Sequence, residues 1–131
     1  MTATITSARE LVERYYGLID TGQLHEASLL MTEDVKLTFA NAAPVFGQEA
    51  AESSIKVVLD RCSGIKHTVV TWLEEANADG GTTAFFEIRI RYELKNGKVL
   101  DNPGAVVATV GSDGRFTEQR LYGDLHEVFV D

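Results

Sequence analysis

One segment of the chain alternates strictly between apolar and charged residues, and it constrains the fold more than any other. Within Thr82–Leu94, apolar and charged residues alternate from Phe86 onward: Phe86, Ile88, Ile90 and Tyr92 interleave with Glu87, Arg89, Arg91 and Glu93. Side chains on a strand point alternately to opposite faces. Two arrangements follow. Either the apolar face packs in the core and the charges lie in water, or the charges line a cavity and the apolar face contacts a second subunit.

The rest of the chain predicts an α+β fold. Ser7 followed by Glu10 forms a capping box before a helix over Ala8–Thr21, and shorter helical patterns cover Leu24–Met31 and Gln48–Arg61. Asp-Gly and Asn-Gly dipeptides mark hairpin turns between long strands. The predicted strands are one through Val35, Leu37 and Phe39, then Lys66–Ala76, Thr82–Leu94, Lys98–Val110 and Arg115–Leu125. Helices first and antiparallel strands afterwards are typical of helices packed on one face of a curved sheet.

Composition limits the classes of function. The 131 residues carry a net charge of -8 and no cluster of Lys or Arg, so nucleic acid is not expected as a partner. The absence of an apolar run and of a signal-like start leads us to expect a cytoplasmic protein that does not bind membranes. Cys62 is the only cysteine, and we assign it no catalytic role. His25, His67 and His126 lack metal-binding spacing and no glycine-rich phosphate motif occurs, so no metal or cofactor is expected.

Short motifs along nearly the whole chain resemble the SnoaL-like group of the superfamily that includes nuclear transport factor two, ketosteroid isomerase and limonene epoxide hydrolase. They are Arg14-Tyr15-Tyr16, Thr32-Glu33-Asp34-Val35, Pro44-Val45-Phe46-Gly47 and Tyr122-Gly123-Asp124-Leu125. The resemblance implies a single domain over residues 1–131. It also implies a cone-shaped antiparallel sheet with about three N-terminal helices on its concave face, a pocket between them, and a homodimer through the outer sheet face.

The resemblance also suggests site residues. Tyr15 matches the oxyanion-stabilising tyrosine of the ketosteroid isomerases, whereas Phe39 and Val106 stand where that family has its acids. The hydrolase comparison matches Asp124 and places Glu87 and Arg89 in the cavity, with reversed order relative to that family's Arg-x-Asp pair. It also turns His67 inward.

Five residues are therefore candidates for catalysis, and five more for ligand binding. The catalytic candidates are Glu87, Arg89, Asp124, His67 and Tyr15, and the ligand-binding candidates are Phe39, Asn41, Arg91, Val106 and Tyr122. Two carboxylates bridged by an arginine in a water-poor pocket could hold different protonation states, with an imidazole as further acid or base and a tyrosine as donor to an oxyanion. The loop from Asn41 to Pro44 is expected to cover the pocket mouth.

Structural roles for the same residues stay open alongside the catalytic ones. The charges of Glu87, Arg89 and Arg91 could form an exposed ladder, and His67 or Tyr15 could serve packing alone. Asp124 could cap backbone amides. Trp72 is expected on the sheet face opposite His67. The chain is thus predicted to be a cofactor-independent isomerase, cyclase, dehydratase or hydrolase acting on a small, partly apolar molecule. The alternative is a non-catalytic dimeric module that binds a small molecule or serves in association.

Overall fold

Three helices and one six-stranded sheet make up residues 7–130, the part of the chain that the computed structural model describes. The helices are α1 (Ala8–Asp20), α2 (Leu24–Ser28) and α3 (Gln48–Leu59), with a 3-10 turn at His126–Val128. The strands are β1 (Met31–Phe39), β2 (Val45–Phe46), β3 (Cys62–Ala76), β4 (Thr82–Leu94), β5 (Val99–Val110) and β6 (Phe116–Tyr122). No helix in this part of the chain is long and apolar enough to cross a membrane.

The sheet is open and curved, in the order β2-β1-β6-β5-β4-β3. This confirms the α+β cone predicted from the sequence, with one difference: β1 and β6 run parallel, while the other neighbouring strands are antiparallel. Parallel neighbours need a crossover rather than a hairpin. Here α3 and the strands β3 to β5 separate β1 from β6 in the chain, so a hairpin-based prediction could not find this pair.

Local signals fixed the first helix and the hairpins correctly. The Ser7 hydroxyl accepts a hydrogen bond from the Glu10 amide at 3.1 Å and caps α1, as the capping box predicts. The turn glycines Gly80 and Gly97 have φ of 91° and 92°, a region that glycine enters without steric cost. The helix predicted over Gln48–Arg61 ends two residues earlier, at Leu59, and β3 begins at Cys62, four residues before the predicted start at Lys66.

The apolar face of β4 is buried and faces the helices. Phe86, Ile88, Ile90 and Tyr92 are each less than 5% exposed, whereas the alternating charged side chains are exposed. The expected charged cavity wall, and with it a subunit interface built on the apolar stripe, is therefore wrong. The physical reason is that α1 and α3 bring their own apolar faces to this side of the sheet, where an ion pair would lose its hydration.

A β-bulge in β3 changes which residues share a face. Val69 pairs with Ile88, but the register shifts before Thr71, and Trp72 then pairs with Phe86. One inserted residue reverses the alternation beyond it. Trp72 consequently stacks on Phe86 inside the fold, with ring centroids 5.0 Å apart, and does not lie opposite His67 as predicted.

Candidate functional site

A mainly apolar cavity lies between the sheet and the helices α1 and α3. It offers about 60 Å³ to the centres of water-sized molecules, and about 590 Å³ is free of protein atoms when the mouth is included. A single water needs roughly 10–15 Å³ by the first measure, so several waters or a small ring fit. The apolar lining comes from Ile19, Leu37, Phe39, Ile55, Val58, Leu59, Ile65, Ile88, Ile90, Val106, Leu121 and Leu125, and the polar lining from Tyr15, Tyr16, His67, Tyr92 and Gln119.

The strongest polar contact in the cavity wall joins His67 of β3 to Asp20 at the end of α1. Asp20 Oδ1 lies 2.6 Å from His67 Nδ1, and Asp20 Oδ2 accepts a hydrogen bond of 2.8 Å from the His67 backbone amide. The two side chains are only 9% and 10% exposed. Because β3 is an edge strand, its outward backbone amides need partners from outside the sheet, and the Asp20 carboxylate supplies one.

The neighbouring residues fix the plane of the imidazole. Tyr16 lies one helical turn before Asp20, so both side chains leave α1 on the same side and meet β3 together. The Tyr16 ring stacks on the His67 ring, with centroids 4.3 Å apart and planes 12° apart. The carboxylate therefore sets the rotation of the ring and the tyrosine sets its tilt.

This geometry assigns the tautomer of neutral His67. A carboxylate accepts a hydrogen from Nδ1, so the lone pair of the neutral ring lies on Nε2. Nε2 makes no hydrogen bond to any residue between 7 and 130, and His67 lines the cavity. A His oriented by a buried carboxylate, with its other nitrogen free, has the arrangement of a general base.

Three tyrosines surround this pair as neutral hydrogen-bond donors. Burial raises the pKa of Tyr15, with a smaller opposing effect from the Gln119 side chain. Burial also raises the pKa of Tyr16, and the nearby Tyr15, Asp20 and Tyr92 raise it further. Burial, followed by the charge of Cys62, raises the pKa of Tyr92 to about 12. Their hydroxyls stay protonated at neutral pH and can donate to an oxyanion but not act as bases.

Gln119 of β6 contributes an amide to the same wall. The residue is 5% exposed, and its Nε2 has no hydrogen-bond partner in the described part of the chain. Buried donors are nearly always paired, so an unpaired one in a cavity wall calls for a physical explanation.

Four of the ten sequence candidates line the cavity. They are Tyr15, His67, Phe39 and Val106. Asn41 is exposed and lies in a second groove, which shares Phe39 and Leu125 with the cavity. The catalytic and binding roles of these residues remain predictions.

The charged candidates on β4 lie on the outer sheet face. Arg89 pairs with Asp101 at 3.0 Å and Arg91 lies 3.5 Å from Glu93, with all four side chains about half exposed. Glu87 is exposed on the same face. The predicted cavity position of Glu87, Arg89 and Arg91 is therefore wrong, since the apolar residues between them take the inner face.

The two candidates at the end of the sheet also point outward. Asp124 is exposed, and its Oδ1 accepts a hydrogen bond from the His126 amide at 2.9 Å, so it caps the 3-10 turn. Tyr122 is 53% exposed, and its hydroxyl accepts a 3.3 Å hydrogen bond from Arg120 Nε. Both residues share a shallow outer groove with Glu87. The expectation that they face the inner cavity is wrong, because the strand β6 ends at Tyr122 and the chain turns away.

Sequence reasoning missed Asp20, Tyr16, Tyr92 and Gln119 as site residues. One signal for Asp20 was available: an acidic residue in the last turn of a helix opposes the helix dipole, and so suggests a partner elsewhere. Tyr16 was visible only as part of the Arg14-Tyr15-Tyr16 motif, and Tyr92 only as a member of an apolar strand face. Gln119 gave no local signal, because a polar residue in a strand usually faces water.

The described residues contain no group of three His, Cys, Asp or Glu side chains that could hold one metal ion. The chemistry available at the cavity is that of an imidazole, a carboxylate, an amide and three phenols.

Comparison with known proteins agrees with this fold. The model of the SnoaL-like domain matches residues 12–119. The chain belongs to the SnoaL-like domain family. No curated protein sequence matches this SnoaL-like protein.

Solved structures with the same fold share little sequence with it. A scytalone dehydratase-like protein from Novosphingobium aromaticivorans has a TM-score of 0.78 at 16% identity, covering 88% of this chain and 80% of its own. A polyketide cyclase-like protein from Xanthomonas campestris has a TM-score of 0.67 at 23% identity, covering 92% of both chains. An NTF2-like protein of unknown function from an Exiguobacterium species has a TM-score of 0.74 at 18% identity, covering 87% of this chain and 98% of its own. At such identities the likeness establishes the fold and not a reaction.

Proposed function

We propose that this SnoaL-like protein is a cofactor-independent enzyme that moves protons on a small, largely apolar carbonyl compound. One observation carries the proposal: a His67–Asp20 pair, nearly excluded from water, in the wall of an otherwise apolar cavity. Perturbed or oriented titratable groups in a concave apolar site are the usual mark of acid–base catalysis. Two structures of similar fold carry the names of a dehydratase and a cyclase.

In the proposed first step, His67 Nε2 removes a proton from the carbon next to a carbonyl group. The electron pair left on that carbon moves to the carbonyl oxygen and forms an enolate. Asp20 stabilises the imidazolium that results, and a neutral donor in the cavity stabilises the enolate oxygen. Return of the proton from the imidazolium to the γ-carbon of an unsaturated ketone gives an isomer. Its transfer to a β-hydroxyl, which leaves as water while the C–O bond breaks, gives dehydration. Attack of the enolate carbon on a second carbonyl, whose oxygen then takes the proton, gives cyclisation.

The common first step can be measured without knowing the natural substrate. We expect the protein to accelerate exchange of the α-hydrogens of small ketones such as 2-tetralone, 1-indanone and acetophenone in D2O, followed by NMR. His67→Asn should reduce the protein-dependent rate by about 10² to 10⁴-fold, the usual contribution of a positioned general base.

The chain offers a matched control. His25 Nδ1 also lies 2.9 Å from a carboxylate, that of Glu52, but its side chain is 72% exposed and lies outside the cavity. His25→Asn should leave exchange unchanged. Equal rates for wild type and His67→Asn would refute the assignment of the base. No acceleration of any of the three ketones would instead favour the alternative, a non-catalytic module that binds a small molecule.

A further inference from the structure

Gln119 has a buried hydrogen-bond donor that the fold leaves unused. Its side chain lies on the inner face of β6, where Gln119 pairs with Leu37 of β1 and Ala108 of β5. The only other buried side-chain atom without a partner in residues 7–130 is Thr32 Oγ1, and Thr32 does not line the cavity. An unpaired buried amide destabilises the fold, and a ligand that accepts its hydrogen bond would remove this cost.

The cavity around Gln119 restricts the charge of such a ligand. Among the described residues, no Lys or Arg lines the cavity, and the carboxylate of Asp20 lies behind its wall, within hydrogen-bond distance of His67. A carboxylate or phosphate in this cavity would lose its hydration without gaining a counter-ion. A neutral amide donor in an apolar cavity is suited to an uncharged acceptor.

The aromatic side chains connect Gln119 to the proposed base. Tyr15 and Gln119 both line the cavity, the Tyr15 ring packs edge-on against Tyr16 at 5.3 Å, and Tyr16 stacks on His67. The aromatic and aliphatic side chains that line the cavity favour a flat, mainly hydrocarbon ligand.

We propose that Gln119 Nε2 recognises the carbonyl oxygen of an uncharged aryl or cyclic ketone, and that the site rejects carboxylates of similar size. This inference rests on the proposed function in that it names the substrate class and the donor to its oxygen. When His67 takes the α-proton and the electron pair moves to the oxygen, the same amide hydrogen bond strengthens as negative charge develops there.

The test compares three probes that differ at one group. Acetophenone carries the carbonyl, α-methylstyrene has a methylene in place of the oxygen, and benzoate has a carboxylate. Titration is followed by NMR, with the side-chain amide of Gln119 as the reporter. We expect acetophenone to shift this amide resonance and to bind about two- to tenfold more tightly than α-methylstyrene, the range for one neutral hydrogen bond. Benzoate should not bind.

Variants of Gln119 test whether this residue causes the preference for acetophenone over α-methylstyrene. Gln119→Leu should make the dissociation constants of acetophenone and α-methylstyrene equal, and Gln119→Met, which keeps a similar length, should do the same if the leucine variant folds poorly. The control Thr32→Val removes the other unpaired buried polar atom and should keep the preference. Equal binding by the wild type, a preference that survives in both Gln119 variants, tight benzoate binding, or no binding of any probe at millimolar concentration would overturn the proposal.

The same experiment separates this inference from the proposed function. His67→Asn should retain the preference for acetophenone, since the base does not hold the oxygen. A wild-type protein that prefers the ketone but catalyses no hydrogen exchange would leave the Gln119 inference standing and refute the catalytic proposal. Hydrogen exchange that depends on His67 but not on Gln119 would support the catalytic proposal and refute the Gln119 inference.

Discussion

Replacing Asp20 by Asn tests the central contact of the site, because it keeps the shape of the side chain and removes its charge. The carboxylate accepts two hydrogen bonds from His67, at 2.6 Å and 2.8 Å, and its side chain is only 9% exposed. An amide has one acceptor oxygen, so Asp20→Asn can keep only one of these bonds. The NH2 group of the asparagine must then either face the other His67 donor or donate to Nδ1, which requires the imidazole hydrogen to move to Nε2.

The expected loss follows from this geometry. A hydrogen bond to a charged group is worth about 1.5–3 kcal/mol of stability. Removing a negative charge from the C-terminal turn of α1 returns about 0.3–1 kcal/mol, because the helix dipole disfavours an acid there. We therefore expect Asp20→Asn to lower the free energy of unfolding by about 0.5–2.7 kcal/mol. Asp20→Ala loses both hydrogen bonds and should lower the free energy of unfolding by about 3–6 kcal/mol. The same gain from removing an acid at the C-terminal end of the helix dipole is subtracted from this value.

Urea unfolding at neutral pH measures both values. The single tryptophan, Trp72, stacks on Phe86 inside the fold and reports unfolding by fluorescence. The control is Glu13→Gln on the same helix, whose pair with Arg9 is about half exposed and should contribute less than about 1 kcal/mol. If Asp20→Asn is no more destabilising than Glu13→Gln, the carboxylate does not hold His67, and the assigned tautomer and the general-base proposal lose their support.

Further predictions concern the sheet faces, pH and assembly. Ile88→Ala should lower the free energy of unfolding by about 2–5 kcal/mol, because the residue is 1% exposed. Arg89→Ala, on the exposed face, should change it by less than about 0.5 kcal/mol. Similar values for the two variants in urea unfolding would mean that the faces are reversed. The hydrogen bond between His25 and Glu52 raises the pKa of His25 and lowers the pKa of Glu52. His25→Ala should therefore destabilise the fold most between pH 4.5, the ordinary pKa of Glu52, and pH 6.5, the ordinary pKa of His25. This stabilisation fades as pH rises through the raised pKa of His25 or falls through the lowered pKa of Glu52; a loss that is flat with pH in thermal unfolding would contradict it. We propose that the outer sheet face forms a homodimer, so Phe85→Asp, at a residue 44% exposed, should shift sedimentation toward monomer, and a monomeric wild type would rule the dimer out.

Much of the fold could be predicted because its signals are local. The capping box at Ser7, the apolar face of α1 and the hairpin glycines act within a few residues, and the bounds of β4 agree with the predicted Thr82–Leu94. These features predict helices before strands and antiparallel neighbours. The parallel contact between β1 and β6 is decided by distant parts of the chain, and no local pattern encodes it.

Only part of the candidate site could be predicted, because the periodicity of a strand shows that it has two different faces but not which of them points inward. The sequence by itself determined that β4 has one apolar and one charged face, but alternation does not say which face meets the helices. The tertiary structure decided this, because the apolar face of α1 can be covered only by an apolar sheet face. The same packing brings Asp20 to His67, 47 residues away, and turns the buried Gln119 toward the cavity. Residue types and spacing therefore determined the elements, while the burial of apolar surface selected which polar groups share the cavity.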